Sequence, residues 1–262
     1  TGELAFWRAL IGLLLLAPIF IRSGSALFRT EQFGFHLLRN VMHFVGVAGW
    51  FYAISRMNLS TGMALQFTVP LFTILLAIVF LREKVDPARW AATLIGFAGV
   101  LVILRPGVEP VTVAAIAALV SALGYGAANI ATKVLVRNCS SDTIVFYMNV
   151  MHLPMALCAA WAMGGINMPA LPDAPWLVGL AASATLAHWL LAKALGEADA
   201  SLIIIVDFTK LPWVTLGAFV FFGEAPVVWA WVGGAVIFAS TVFIVRRAAR
   251  AARPGGSSGP AA

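Results

Sequence analysis

STGMALQFTVPLFTILLAIVFLREKVDPARW, residues 60–90, and SLIIIVDFTKLPWVTLGAFVFFGEAPVVWAW, residues 201–231, decide how this chain is read. Shifted by 141 residues, one lies on the other without a gap. Ser60, Phe67, Thr68, Ala77, Phe80, Glu83 and Trp90 fall on Ser201, Phe208, Thr209, Ala218, Phe221, Glu224 and Trp231, and Ala53 falls on Ala194 just upstream. Two apolar helices share Ala and Phe by chance, but they are a poor source of a Glu and a Trp seven residues apart in both. The chain therefore reads as a duplication, one copy in 1–105 and the other in 106–246, followed by a tail at 247–262.

Around these stretches the composition excludes a water-soluble fold. Of 262 residues 61% are apolar and 11% charged, against about 45–50% and about 25% in soluble domains. A helix crossing the hydrocarbon needs about 20 mostly apolar residues. Nine runs meet that need, at 4–21, 34–54, 61–81, 88–105, 111–136, 142–163, 175–195, 200–222 and 227–245. Such continuous runs exclude a β-barrel, whose strands are half as long. The fold class is all-α, a polytopic helix bundle in a lipid bilayer. The second copy holds five spans and the first four, so the counterpart of the second copy's first span, 111–136, would precede Thr1. With five an odd number, the copies enter the membrane from opposite sides. Inverted repeats with a site at their interface are a construction of secondary transporters, because exchanging the conformations of the halves exchanges the open side.

Charge orients the bundle. If the first span runs outside to inside, thirteen Lys and Arg gather on the inner side: Arg22, Arg29, Arg39, Arg82, Lys84, Arg89, Lys133, Arg137, Lys193, Arg246, Arg247, Arg250 and Arg253. Arg8, Arg56 and Arg105 remain outside, and Lys210 lies within a span. This places the C-terminus in the cytoplasm, with the Gly-, Ser- and Pro-containing tail disordered there. Trp7, Trp90, Trp176, Trp229 and Trp231 fit interfacial anchors. The net charge of +6 reflects this loop bias and not nucleic-acid binding. Cys139 and Cys158 form no metal or disulfide pattern.

Polar residues inside spans are costly and need a reason. Asp207 and Lys210 stand i, i+3 on one face, close enough to pair. Two readings stand for them: mutual neutralisation in a packed interior, or contact with a ligand. Pro212 cannot donate to the carbonyl of Phe208, and Pro70 cannot donate to that of Gln66, the position opposite Asp207 at the shift of 141. Interrupted helices at corresponding positions point to a transporter site. By depth, Asn129, Asn149, His188 and Asp207 form a polar layer, with His43 nearer the middle of its span; His43, Tyr125, Asn129, His188 and Asp207 could line one cavity, while Asn149 and His152 are given structural roles. Glu83 and Glu224 are read as solvated helix ends, Gly46 with Gly49, Gly96 with Gly99 and Gly124 with Gly126 as close helix approaches, and Trp50, Tyr52, Phe67, Phe208 and Trp213 as packing or aromatic walls. Motifs for metalloprotease, serine hydrolase or P-loop chemistry are absent from the sequence, and it calls for no cofactor or metal.

FWRALIGLLLL at 6–16, PLFTILLAIVFLREKVDPARWAATLIGFAGVLVILRPG at 70–107 and LGAFVFFGEAPVVWAWVGGAVIFA at 216–239 resemble the EamA-type family of the drug/metabolite transporter superfamily. The resemblance implies ten helices in two inverted five-helix repeats, of which the first helix is absent here. It also implies alternating-access movement of a small polar or amphipathic metabolite across a bacterial inner membrane. Export of amino acids or related compounds is the commonest activity it implies. LLRNVMHFVGVAGWFYAISRMNLSTGMALQFTVP at 37–70 resembles the riboflavin-importing branch, so uptake of a vitamin or nucleoside-like solute is an alternative, and a non-transporting membrane partner is a third. Arg8 resembles the Arg such proteins often carry there. On this reading Asp207 attracts a cationic group or alternates between Lys210 and substrate or proton, while Gln66, Asn129, Tyr125 and His188 supply hydrogen bonds. The coupling ion and the oligomeric state are not read from sequence.

Overall fold

The computed structural model describes residues 2–24, 27, 30–82, 87–104, 112–162, 164–198 and 200, with scattered positions between 203 and 243. Among these residues there are helices and no strands. They are α1 (Gly2–Leu15), α2 (Ala17–Ser23), α3 (Phe33–Ile54), α4 (Leu59–Gln66), α5 (Val69–Leu76), α6 (Pro87–Leu104), α7 (Val113–Leu135), α8 (Ser141–Ala162) and α9 (Ala174–Glu197). Among the described residues five helical stretches are long and apolar enough to cross a membrane: Gly2–Ile19, Phe33–Ile54, Val113–Leu135, Ser141–Ala162 and Leu171–Glu197. Of the expected runs at 200–222 and 227–245 only scattered positions are described, and Asp207, Lys210, Glu83 and Glu224 lie outside the described residues.

Helix boundaries follow local chemistry. Thr112 caps α7, its hydroxyl accepting from the Ala115 amide at 3.2 Å. Lys133, in the last turn of α7, donates to the Leu195 and Ala198 carbonyls at 2.8 and 2.6 Å, placing a cation on the orphan acceptors that end α9. The expected run 61–81 is broken at Phe67 and Thr68, between α4 and α5. Pro70 sits in the first turn of α5, where its missing N–H is harmless, and the Thr68 hydroxyl donates to the Leu65 carbonyl at 2.7 Å. A π-helical turn, Ala77–Leu81, continues α5. The run 4–21 is also divided, at Leu16, because Pro18 opens α2 in the same way.

Packing is built on two principal pairs, α3 against α7 and α1 against α8. The first is possible because glycines face backbone: a Cβ on Gly124 would stand 2.7 Å from the Met42 carbonyl oxygen, and one on Gly49 would stand 2.8 Å from that of Ala117. Gly126 lies against Phe72 and Thr73 of α5. Gly96, expected to allow close approach, has only ordinary van der Waals contact, with Ser240. α1 also packs on α9 and α8 on α3. α3 and α9 begin at Phe33 and Ala174, 141 residues apart.

Two contacts mark the ends of the bundle. Thr30, before α3, meets Cys139, between α7 and α8, at 3.7 Å. At the other end Asn167, between α8 and α9, binds the start of α1: its amide donates to the Glu3 carboxylate at 3.0 Å and its carbonyl accepts from the Trp7 indole at 3.2 Å.

Candidate functional site

The seam between α3 and α7 carries most of the buried polarity. On α3, His36, Arg39, Asn40 and His43 are buried, spaced at helical intervals that put them on one side. On α7, Ser121, Tyr125, Asn129 and Thr132 recur at intervals of three or four. The helices run antiparallel, so Thr132 meets Arg39, Tyr125 meets His43 and Gly46, and Ser121 meets Gly46 and Gly49.

His43 stands at the centre. Its Nε2 lies 3.0 Å from Nε2 of His188 on α9, so the two rings share one proton in a hydrogen bond that crosses from the first half of the chain to the second. His152 of α8 stacks on His43, with centroids 4.8 Å apart and planes at 29°. Tyr125 meets it edge-on at 5.2 Å. Three helices thus converge on one imidazole. Nδ1 of His43 and Nε2 of His152 are buried with no hydrogen-bond partner among the described residues, and the same holds for both ring nitrogens of His36 and the hydroxyl of Thr73. Buried polar atoms are nearly always bonded, so unpartnered ones in such a cluster are groups a polar solute can satisfy.

Cations border this layer. The Arg39 guanidinium, 3% exposed, donates to Asn40 Oδ1 at 2.7 Å and to the Thr132 hydroxyl at 3.4 Å. Asn40 in turn reaches the Tyr147 carbonyl and the Met151 sulfur, at 3.4 and 3.1 Å. Arg8 of α1 has no hydrogen-bond partner among the described residues and lies within electrostatic range of Arg39, His43, Tyr125 and His152. No carboxylate pairs with either arginine among the described residues.

Of the residues expected at the site, His43, Tyr125 and His188 are brought together. Gln66 is one turn of α7 away: it donates to the Ser121 hydroxyl at 2.7 Å, which donates to the Gly46 carbonyl at 2.6 Å, so its amide is committed to binding α4 to α7 and α3. Asn129 falls on the polar stripe, half-buried, with no hydrogen bond to the histidines among the described residues. Asn149 bonds within its own helix, its amide donating to the Val145 carbonyl at 3.1 Å, and its oxygen lies 2.5 Å from where a Cβ on Gly12 would stand. His152, expected to be structural, belongs to the layer. Arg39, counted with the inner-side charges, is buried in the bundle. A signal for it was present: it is the sixth residue of its run, with Asn40 and His43 one and four positions on. His36 had no such signal, since its burial depends on Tyr147 of α8, which stacks on it at 4.4 Å.

Helices of spanning length around a buried polar layer, with a hydrogen bond between the two halves, define a multi-pass membrane protein whose interior is suited to handling a polar solute. The model of the EamA-like transporter family matches residues 1–105 and again 112–246, and the chain belongs to that family. It is 33% identical over 249 residues to the riboflavin transporter of Brucella anthropi, an alignment covering 93% of this chain and 87% of that protein. To the riboflavin transporter of Rhizobium johnstonii it is 35% identical over 257 residues, covering 97% and 83%. The S-adenosylmethionine uptake transporter of Rickettsia bellii is 28% identical over 246 residues, covering 93% and 83%. A protein of known crystal structure superposes with a TM-score of 0.72 over 96% of this chain and 89% of its own, at 16% identity, and so shares the fold. The chain is a small-molecule transporter of the EamA kind and not an enzyme.

Proposed function

We propose that this protein takes up a planar, hydrogen-bonding heteroaromatic solute of the riboflavin kind by alternating access. The observation that carries the reading is the His43–His188 bond, set among His152 and Tyr125. The rings offer a flat solute stacking surface, and Nδ1 of His43 and Nε2 of His152, without partners among the described residues, offer it hydrogen bonds. The names of the 33% and 35% identical relatives favour the same solute over amino-acid export. The bond joins helices whose starts are 141 residues apart, and residues 30 and 171, related by the same shift, flank Phe33 and Ala174 at opposite ends of the bundle. Both facts support two inverted repeats whose relative movement would break and remake the contact. Asp207 and Lys210 are the complementary part of the proposal, a carboxylate exchanging its partner between Lys210, solute and a coupling proton. The C-terminus is assigned to the cytoplasm and the membrane to the bacterial inner membrane.

Proteoliposomes carrying the purified protein should accumulate labelled riboflavin, and unlabelled riboflavin on the opposite face should accelerate exchange. Asp207→Asn should cut that flux severely while leaving insertion and thermal stability intact. Failure of the native protein to move riboflavin, with adenosine, S-adenosylmethionine and amino acids tested in parallel, removes the substrate assignment. Flux indifferent to a collapsed proton gradient removes the coupling.

A further inference from the structure

A cavity of about 320 Å3 lies between α1, α3 and α8, near the Asn167 end of the bundle and apart from the histidine layer. Its volume is at the lower bound of small-molecule sites. Phe44, Phe51 and Tyr52 of α3 line it, with Ala5 of α1 opposite and Arg56 at its α3 end. The cation is held in place: its guanidinium lies 4.0 Å from the centre of the Tyr52 ring and donates to the Ser55 hydroxyl at 3.4 Å. At the start of α1 the wall is tight, since a Cβ on Gly2 would stand 2.6 Å from the Ala160 amide nitrogen.

Two links join the cavity to the histidines. Phe44 meets His152 edge-on, with centroids 5.8 Å apart, and His152 stacks on His43. Arg8 lies one helical turn beyond Ala5 on α1, within electrostatic range of His43, His152 and Tyr125. Aromatic rings therefore run without interruption from the cavity, through Phe44 and His152, to the bond between the halves. A solute with a π face finds stacking surface along this path and a cation at each stage, Arg56 and then Arg8. An acyl chain would use the apolar wall but neither the rings as π surfaces nor the cations.

We propose that this cavity is a second solute subsite, an antechamber that holds a planar aromatic ring before it passes Phe44 to the histidine layer. The proposal rests on the heteroaromatic-uptake reading above and adds a binding station to it. Charge asymmetry assigns this end to the outside, so the station serves the incoming solute.

Labelling in proteoliposomes tests it. In a background carrying Cys139→Ser and Cys158→Ser, the Ala48→Cys substitution puts a thiol on the cavity wall. A water-soluble maleimide should label it, and riboflavin at ten times its half-saturating concentration should slow labelling by about tenfold, the occupancy expected of a simple site. Ribitol, which lacks the ring, should not protect. Ala48→Trp, filling the cavity, should raise the riboflavin KM by about three- to tenfold, the range of an aromatic contact. His43→Phe should lower uptake by about tenfold or more yet keep the protection. A thiol that maleimide cannot reach, protection by ribitol, or a bound lipid that is lost in Ala48→Trp without change in KM overturns the subsite. Protection by riboflavin without riboflavin transport would sink the uptake reading and leave the subsite standing; transport without protection does the reverse.

Discussion

His43 and His36 share a helix, an element of burial and an imidazole, yet substituting each by Phe should have opposite effects. His43 spends one ring nitrogen on His188, so His43→Phe keeps the ring against Tyr125 and His152 but removes a bond between α3 and α9. Loss of one partner of a buried hydrogen bond costs about 1–3 kcal/mol. The unfolding temperature in detergent should fall, and riboflavin uptake should drop by about tenfold or more in kcat/KM, if that cost is felt in solute binding. His36 has neither ring nitrogen bonded and stacks on Tyr147, so Phe retains the stacking and relieves two buried unpartnered atoms. His36→Phe should leave the unfolding temperature unchanged or raise it. A fall equal to that of His43→Phe would mean that the two imidazoles are equivalent, and that the bond across the halves has no special weight.

Among the elements, the α3–α7 crossing is the one held by backbone proximity. Gly124→Ala would set a methyl 2.7 Å from the Met42 carbonyl oxygen and 2.9 Å from the Gly46 amide nitrogen, neither of which can swing aside as a side chain would. Overpacking of this kind costs about 1–3 kcal/mol. Gly179 of α9 has nothing within 4 Å of its would-be Cβ, so Gly179→Ala should stabilise by about 0.5–1 kcal/mol through helix propensity alone. Thermal unfolding of the two variants side by side checks the pair; equal effects would mean that the crossing is looser than its geometry. Such crossings are where sequence reading succeeds and then stops. Hydropathy placed the helix boundaries of α3, α7, α8 and α9 within about two residues, and Pro70 foretold the break between α4 and α5, because both signals are local. Pro18 broke the first run by the same chemistry, but a run of apolar residues on either side concealed it. The site was legible only as a set of depths. Depth and polarity named His43, Tyr125 and His188 among the residues that could line one cavity, whereas His152 joining them, Gln66 turning to Ser121 and Arg39 being buried depend on which helices are neighbours. A single sequence carries no direct record of that adjacency.

At the scale of the whole molecule the decisive quantity is the side of the membrane on which each loop stands. Thr30 lies by Cys139 at one end, while the segment holding Asn167 lies by Glu3 and Trp7 at the other. An odd number of helices per copy carries residues related by the shift of 141 to opposite faces, whereas a parallel duplication would return them to the same one. The positive-inside bias goes further and predicts that the Thr30 end, near Lys133, Arg137 and Lys193, faces the cytoplasm. Thr30→Cys and Leu171→Cys, each in the background without native cysteines, should therefore react with an impermeant maleimide from opposite sides in intact cells: Leu171→Cys at once, Thr30→Cys only after the membrane is opened. Leu171 is 89% exposed, so no part of the protein shields it, and it stands at the first residue of its spanning stretch. Reaction of both from the outside would make the copies parallel and deprive alternating access of its symmetry. Reaction of Thr30→Cys alone would keep the inversion and turn the whole bundle over, moving the cavity beside Phe44 to the cytoplasmic side and changing its role from receiving the solute to releasing it.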